Sequence, residues 1–195
     1  MFRARVALLL CGLCAMLAPS TASPSSAALR SIYVDGDSIA YGTDLFLPRY
    51  LRGWSIHSSV DVSRHTYQGV ASIEALREEG GLPYVVLVNL GTNDDPRAVS
   101  QFHAYVQRVV RAAGPERCVI WATIVRPPYA GVSYTGLNTV LLRAAGRNES
   151  FHVFDWRSLA RAHPAWFGSD GVHPSIQGYR VRAARLAAFI RTTCS

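Results

Sequence analysis

The sequence predicts a single α/β domain, a three-layer α/β/α sandwich on about five parallel strands. Three observations carry that expectation. Short apolar runs alternate with longer amphipathic ones, the order that right-handed strand–helix–strand crossovers produce. The run Tyr84-Val-Val-Leu-Val-Asn89 is apolar without alternation, as a strand covered on both faces must be. Finally, no internal repeat, low-complexity tract or dividing linker interrupts the 195 residues, a length suited to one core.

Taken in order, residues 1–28 read as a secretory signal and the domain occupies 29–195. Arg3 and Arg5 precede the apolar run 6–17, and a stretch of small residues with Pro19 and Pro24 follows. That apolar run is short for a membrane span, so soluble export with no span retained after signal removal is expected. The strands are predicted at 31–35, 54–60, 84–89, 118–123 and 151–154, and the helices at 39–51, 70–79, 96–113, 134–145 and 175–190. Within 96–113, Phe102, Tyr105, Val106, Val109 and Val110 recur at helical spacing and form a core-facing stripe. Trp121 belongs with the core, and the loop Pro127-Pro128-Tyr129-Ala130-Gly131 follows a strand end, where it would border a crevice.

The net charge is +7, and every basic residue is arginine. Removing Arg3 and Arg5 with the signal lowers that charge by two. A basic exported protein is suited to anionic surfaces such as wall polymers. Arg180, Arg182, Arg185 and Arg191 fall together in the last helix, where they read as a solvated face. No interleaving of arginine with aromatics suggests a nucleic-acid groove. Beyond the signal two cysteines remain, Cys118 and Cys194. In an oxidising compartment they read as one disulfide tying the last helix to a mid-chain strand, worth about 3–5 kcal/mol. No Cys/His spacing resembles a zinc site, and neither metal nor cofactor is expected.

Three short constellations carry chemistry. Asp35-Gly36-Asp37-Ser38 ends the first strand and leads into a helix, so Ser38 stands where an open α/β sheet presents reactive groups, beside free helix N–H groups. Gly91-Thr92-Asn93-Asp94 follows the third strand, where the Asn93 amide would reach across the crevice as an oxyanion donor or cap the next helix. Ser169-Asp170-Gly171-Val172-His173-Pro174 precedes the last helix. A histidine there is suited to take a serine proton while an aspartate three residues earlier holds its other ring nitrogen. Each stretch is ordinary turn chemistry by itself. All three fall on one rim of the predicted sheet and fill complementary roles.

At these residues the chain resembles the SGNH hydrolases, also called GDSL esterases. Gly36-Asp37-Ser38, Gly91-Thr92-Asn93-Asp94 and Asp170-Gly171-Val172-His173-Pro174 are similar to that family's nucleophile, asparagine and Asp-x-x-His blocks, in order and across 31 to about 190. The resemblance implies a flavodoxin-like fold and a Ser38–His173–Asp170 triad working through an acyl-enzyme. It also implies an oxyanion hole made by the Ser38 N–H, the Asn93 amide and a further N–H after the second strand. The family carries a glycine at that last point, whereas Arg64 stands there in this chain; Arg64 is preferred as donor through its backbone, with Gly69 the rival. Ser63-Arg64, Val153-Phe154-Asp155-Trp156 and His163-Pro164-Ala165-Trp166 resemble, more narrowly, the extracytoplasmic SGNH domains of membrane acyltransferases that O-acetylate cell-wall glycans. Those domains normally follow a multi-span membrane part, which this sequence lacks. The resulting expectation is a secreted esterase for short acyl groups on a small molecule or polysaccharide, with Tyr129 and Trp166 lining the acyl or sugar site. The alternatives are acyl transfer to wall glycan and, secondly, a non-catalytic wall-binding module. His57, His65, His103, His152 and His163 lack partners at readable spacing and are taken as surface or packed side chains.

Overall fold

Five strands form one parallel sheet in the order β2-β1-β3-β4-β5 in the computed structural model, which describes residues 30–194. The signal expected at 1–28 lies outside the described residues. In chain order the elements are β1 (Ser31–Gly36), α1 (Ser38–Asp44), α2 (Leu47–Tyr50), β2 (Ser55–Val60), α3 (Thr66–Glu78), β3 (Val85–Asn89) and α4 (Val99–Ala113). There follow β4 (Cys118–Ala122), α5 (Thr135–Ala145), β5 (Phe151–Phe154), α6 (Trp156–Arg161), a 3₁₀ turn (Pro164–Trp166) and α7 (Ile176–Thr193).

Strand pleating divides the core in two. Ile32 and Val34 of β1, with Val85 and Leu87 of β3, face the layer formed by α2, α6 and α7. Tyr33, Val86 and Val88 face the other way, into the layer of α3, α4 and α5. The unbroken apolar run at β3 is thus explained by helices on both faces. On α4 the stripe turns inward as its spacing predicts, with Phe102, Val106, Val109 and Ala113 buried.

The sequence-based boundaries change at several places, two of them in the connections that follow β1 and β5. The helix expected over 39–51 is two helices, because Pro48 sits in the first turn of α2 and has no N–H to continue α1. The chain between β5 and α7 holds α6 and the 3₁₀ turn, both too short to show a helical period.

Cys118, at the start of β4, and Cys194, capping α7, form a disulfide with Cα atoms 5.7 Å apart. Among the described residues no helix is long and apolar enough to cross a membrane. The strand order reverses between β1 and β3, so their carboxyl ends open the crevice at which an open α/β sheet binds ligands.

Candidate active site

Ser38 is delivered by a tight strand-to-helix turn. Gly36 has no room for a side chain, since a Cβ would lie 2.2 Å from the Ala40 Cβ and 3.0 Å from the Asn89 carbonyl oxygen. Helix α1 can therefore begin hard against the end of β3. Asp37 fastens both sides of the turn. Its Oδ1 accepts from the Ile39 N–H at 2.9 Å, capping α1, and its own N–H donates to the Asn89 carbonyl at 3.2 Å. Ser38 is the first residue of α1, where a backbone N–H has no intrahelical partner.

The loop before α7 brings the second and third groups. Ser38 Oγ lies 2.9 Å from His173 Nε2, and His173 Nδ1 lies 2.6 Å from Asp170 Oδ2. The other carboxylate oxygen of Asp170 accepts from the N–H groups of Val172 and His173, at 2.9 and 3.0 Å. The bond to His173 and then these two amides hold the Asp170 carboxyl down at about 2. Being ionised, Asp170 can only accept, so the imidazole proton sits on Nδ1 and Nε2 is left to accept from the Ser38 hydroxyl. The loop is pinned at both ends, by Gly168 N–H to His173 O at 2.8 Å and Ser175 N–H to Trp166 O at 2.7 Å.

On the opposite side, Gly91 turns the chain after β3 with φ +112°, a conformation side chains rarely adopt. A Cβ there would also lie 2.5 Å from Ile124 Cδ1. Asn93 follows on this turn and donates one Nδ2 proton to the Arg64 carbonyl at 3.1 Å, which leaves its second amide proton for another acceptor. Arg64 is itself held by its side chain, with Nη1 donating to Asp35 Oδ1 at 2.8 Å, Ser59 O at 2.7 Å and Ser59 Oγ at 3.0 Å. Its backbone N–H donates to Asp61 O at 3.3 Å, closing a turn in which Ser63 has φ +63°. Gly69 lies within α3, where a Cβ would meet Leu90 Cδ1 at 2.3 Å, so its smallness serves close packing.

The model of the GDSL-like lipase/acylhydrolase family matches residues 35–181. The chain belongs to that family. Among curated proteins no sequence match was found. Solved structures similar to this chain include the C-terminal catalytic domain of the Streptococcus pneumoniae peptidoglycan O-acetyltransferase A, at 20% identity and TM-score 0.65, over 84% of this chain and 91% of that one. An α/β hydrolase enzyme from the metagenome of Lake Arreo, Spain, is similar at 18% identity and TM-score 0.67, over 85% and 97%. An acetyl xylan esterase from Geobacillus stearothermophilus is similar at 18% identity and TM-score 0.60, over 83% and 94%. At these identities the likeness is one of fold.

Behind the serine of this GDSL-like acylhydrolase lies a buried polar cluster that its sequence conceals. Arg182 reads as part of a solvated arginine face, yet it is 2% exposed. It donates to Thr43 Oγ1 at 2.8 Å and Asn89 Oδ1 at 2.7 Å, and its guanidinium lies 5.6 Å from the Trp156 ring centroid. The correction has a simple cause: α7 turns its Arg182, Ala183, Leu186 and Ile190 face inward, and Arg182 reaches the polar ends of β3 and α1. Burial lowers its guanidinium to about 10. Burial likewise pushes Asp37 up to about 6, against the pull of the Ile39 N–H and of Arg182. Asp35 is also pushed up to about 6 by burial, with Arg64 opposing.

The other expected site residues fall farther out. Tyr129 is 51% exposed on a turn that pairs with Val132. Trp166 is half-buried, its ring stacked on His163 at 3.9 Å and on Trp156 at 5.7 Å. His65 does have partners: its Nδ1 lies 3.2 Å from Asp94 Oδ1, and it forms a capping box with Gln68 at the start of α3. That pairing spans 29 residues, so no local spacing announces it. Among the described residues no group of three or more His, Cys, Asp and Glu is placed to hold a metal ion.

Proposed function

We propose that this protein is an exported serine esterase that hydrolyses short-chain carboxylic esters through an acyl-enzyme. The observation that carries the reading is the unbroken hydrogen-bond chain Ser38 Oγ–His173 Nε2–Asp170 Oδ2, at 2.9 and 2.6 Å. Ser38 Oγ attacks the ester carbonyl while its proton passes to His173 Nε2. Asp170 keeps the imidazole oriented and stabilises the imidazolium that forms. The tetrahedral oxyanion accepts from the Ser38 N–H and from the Asn93 amide proton not held by Arg64. The Arg64 N–H joins them only by giving up its 3.3 Å bond to Asp61, so Arg64 acts chiefly by orienting Asn93 through its carbonyl. The leaving alkoxide takes the proton from His173 and departs as alcohol. Water, deprotonated by the same ring, then attacks the acyl carbonyl, and the acid leaves as the proton returns to Ser38.

A short acyl group is favoured because the segments around Ser38 are short: one residue separates β1 from α1 and five separate β2 from α3, so neither connection carries a long insertion to enclose a long chain. The Cys118–Cys194 disulfide supports an oxidising compartment, in keeping with the leader-like order of residues 1–28. A fluorophosphonate probe tests the nucleophile: labelling of the folded protein at Ser38, mapped by peptide mass, supports the reading, and its absence revives a purely binding role. Supplying a chito-oligosaccharide with an activated acetyl donor tests the acceptor. Free acetate alone supports hydrolysis, whereas ester on the sugar assigns transfer.

A further inference from the structure

A second cavity, of about 160 Å³, opens on the β4 side of the same rim and is lined by Arg126, Arg157, Arg161, Ser133, Tyr134 and Thr135 together with apolar residues, and by no carboxylate. Three guanidinium groups from two separate segments share this space. Five other arginines, Arg64, Arg77, Arg97, Arg108 and Arg117, each pair with an aspartate or glutamate, while Arg182 and Arg191 are held by neutral acceptors. Among the described residues Arg126, Arg157 and Arg161 have no carboxylate within ion-pair distance. Asp155 is the acid that bears on Arg157, and its Oδ1 accepts from Thr123 Oγ1 at 3.1 Å and the Ser158 N–H at 3.1 Å.

Two of the three arginines are half-buried and positioned rather than loose. Arg126 donates through Nη1 to the Thr92 carbonyl, next to Asn93, and its guanidinium lies 5.9 Å from the centre of the Tyr134 ring. Arg157 Nη2 reaches Thr135 Oγ1 at 3.4 Å. Both guanidinium groups therefore reach the same two-residue step, Tyr134-Thr135. Arg161, one helical turn beyond Arg157 on α6, adds a third positive charge. Like charges gathered in a partly dry space repel one another, and an anion accepting from several guanidinium N–H groups reverses that cost.

We propose that this cavity is an anion-binding subsite that seats a carboxylate or phosphate group carried by the ester substrate. Its purpose rests on the esterase reading, but the binding itself does not. The contact of Arg126 with the Thr92 carbonyl ties the subsite to the Asn93 turn, so an anchored anion lies on the same rim as Ser38. The substrate class is then an acylated anionic molecule, such as a sugar acid or a phosphorylated sugar, rather than a neutral ester.

The test is an NMR titration of the full domain with inorganic phosphate and, separately, with glucuronate, following the arginine Nε–Hε resonances. Saturable shifts at Arg126, Arg157 and Arg161 are expected with at least one probe. The probe that gives them identifies phosphate or carboxylate as the group recognised. In Arg157→Gln/Arg161→Gln affinity should fall about tenfold or more, the loss of charge-assisted bonds. The exposed single variant Arg161→Gln gives the same direction where the double variant folds poorly. Lack of saturable shifts with both probes, or unchanged affinity in the variants, overturns the proposal. In kinetics the variants should lose kcat/KM on an acetate ester bearing a carboxylate or phosphate and keep it on neutral p-nitrophenyl acetate. A parent that binds an anion at these arginines yet turns over neither ester contradicts the esterase reading and leaves the subsite standing.

Discussion

Asn93 shows how one side chain is fixed for a task at a distance. One of its amide protons is held by the Arg64 carbonyl, and the planar amide thereby fixes where the other points. Asn93→Ala should lower kcat by a factor of about 10²–10³, close to 3 kcal/mol of transition-state stabilisation, with little change in KM, as steady-state kinetics on an activated acetate ester would show. Asp37 yields a prediction about pH. Its carboxyl titrates near 6 in the fold and near 3.8 as a free side chain, so the folded state holds the extra proton between those values. Its contribution to stability is therefore highest below about 4 and is lost as pH rises towards about 6. Asp37→Asn keeps an oxygen for the Ile39 cap and removes the titration. The melting temperature of this variant minus that of the parent should accordingly rise between pH 4 and 6 and level off above. A difference that stays flat across that range contradicts burial as the cause.

Among the elements, α7 and the loop before it decide the geometry of His173. Ser175 caps α7 by accepting from the Gly178 N–H at 3.2 Å. Ser175→Ala should cost about 1 kcal/mol in chemical denaturation while the loop's backbone bonds persist. The long helices were readable in the sequence because each has enough residues to show its period, as α4 does through Phe102, Val106 and Val109, and β3 was readable because its apolar run is unbroken. The start of α3 was not, since its cap is His65 rather than one of the usual short polar residues. The break between α1 and α2 follows from Pro48, and α6 is only six residues long.

For the whole molecule, what could be read locally differs from what packing decides. Ser38 sits in its own turn and Asp170 lies three residues from His173, so both roles are written in short stretches. The burial of Arg182, by contrast, depends on α7 meeting Asn89 and Thr43, which lie 93 and 139 residues away. The same holds for Arg126 and Arg157, which the loop after β4 and the short α6 bring to one cavity. The disulfide closes a separation of 76 residues between the two core layers' shared strand β4 and α7. Replacing Cys118 and Cys194 with alanine should lower stability by about 4 kcal/mol, read as a lower urea midpoint, and leave the Ser38–His173–Asp170 hydrogen bonds in place.

The nucleophile is the point on which the functional account turns, and one kinetic comparison addresses it directly. Ser38→Ala should remove nearly all turnover of p-nitrophenyl acetate, leaving only what binding and the oxyanion donors supply, while circular dichroism shows the parent fold. Hydrolysis by the folded variant at the parent's rate would contradict it.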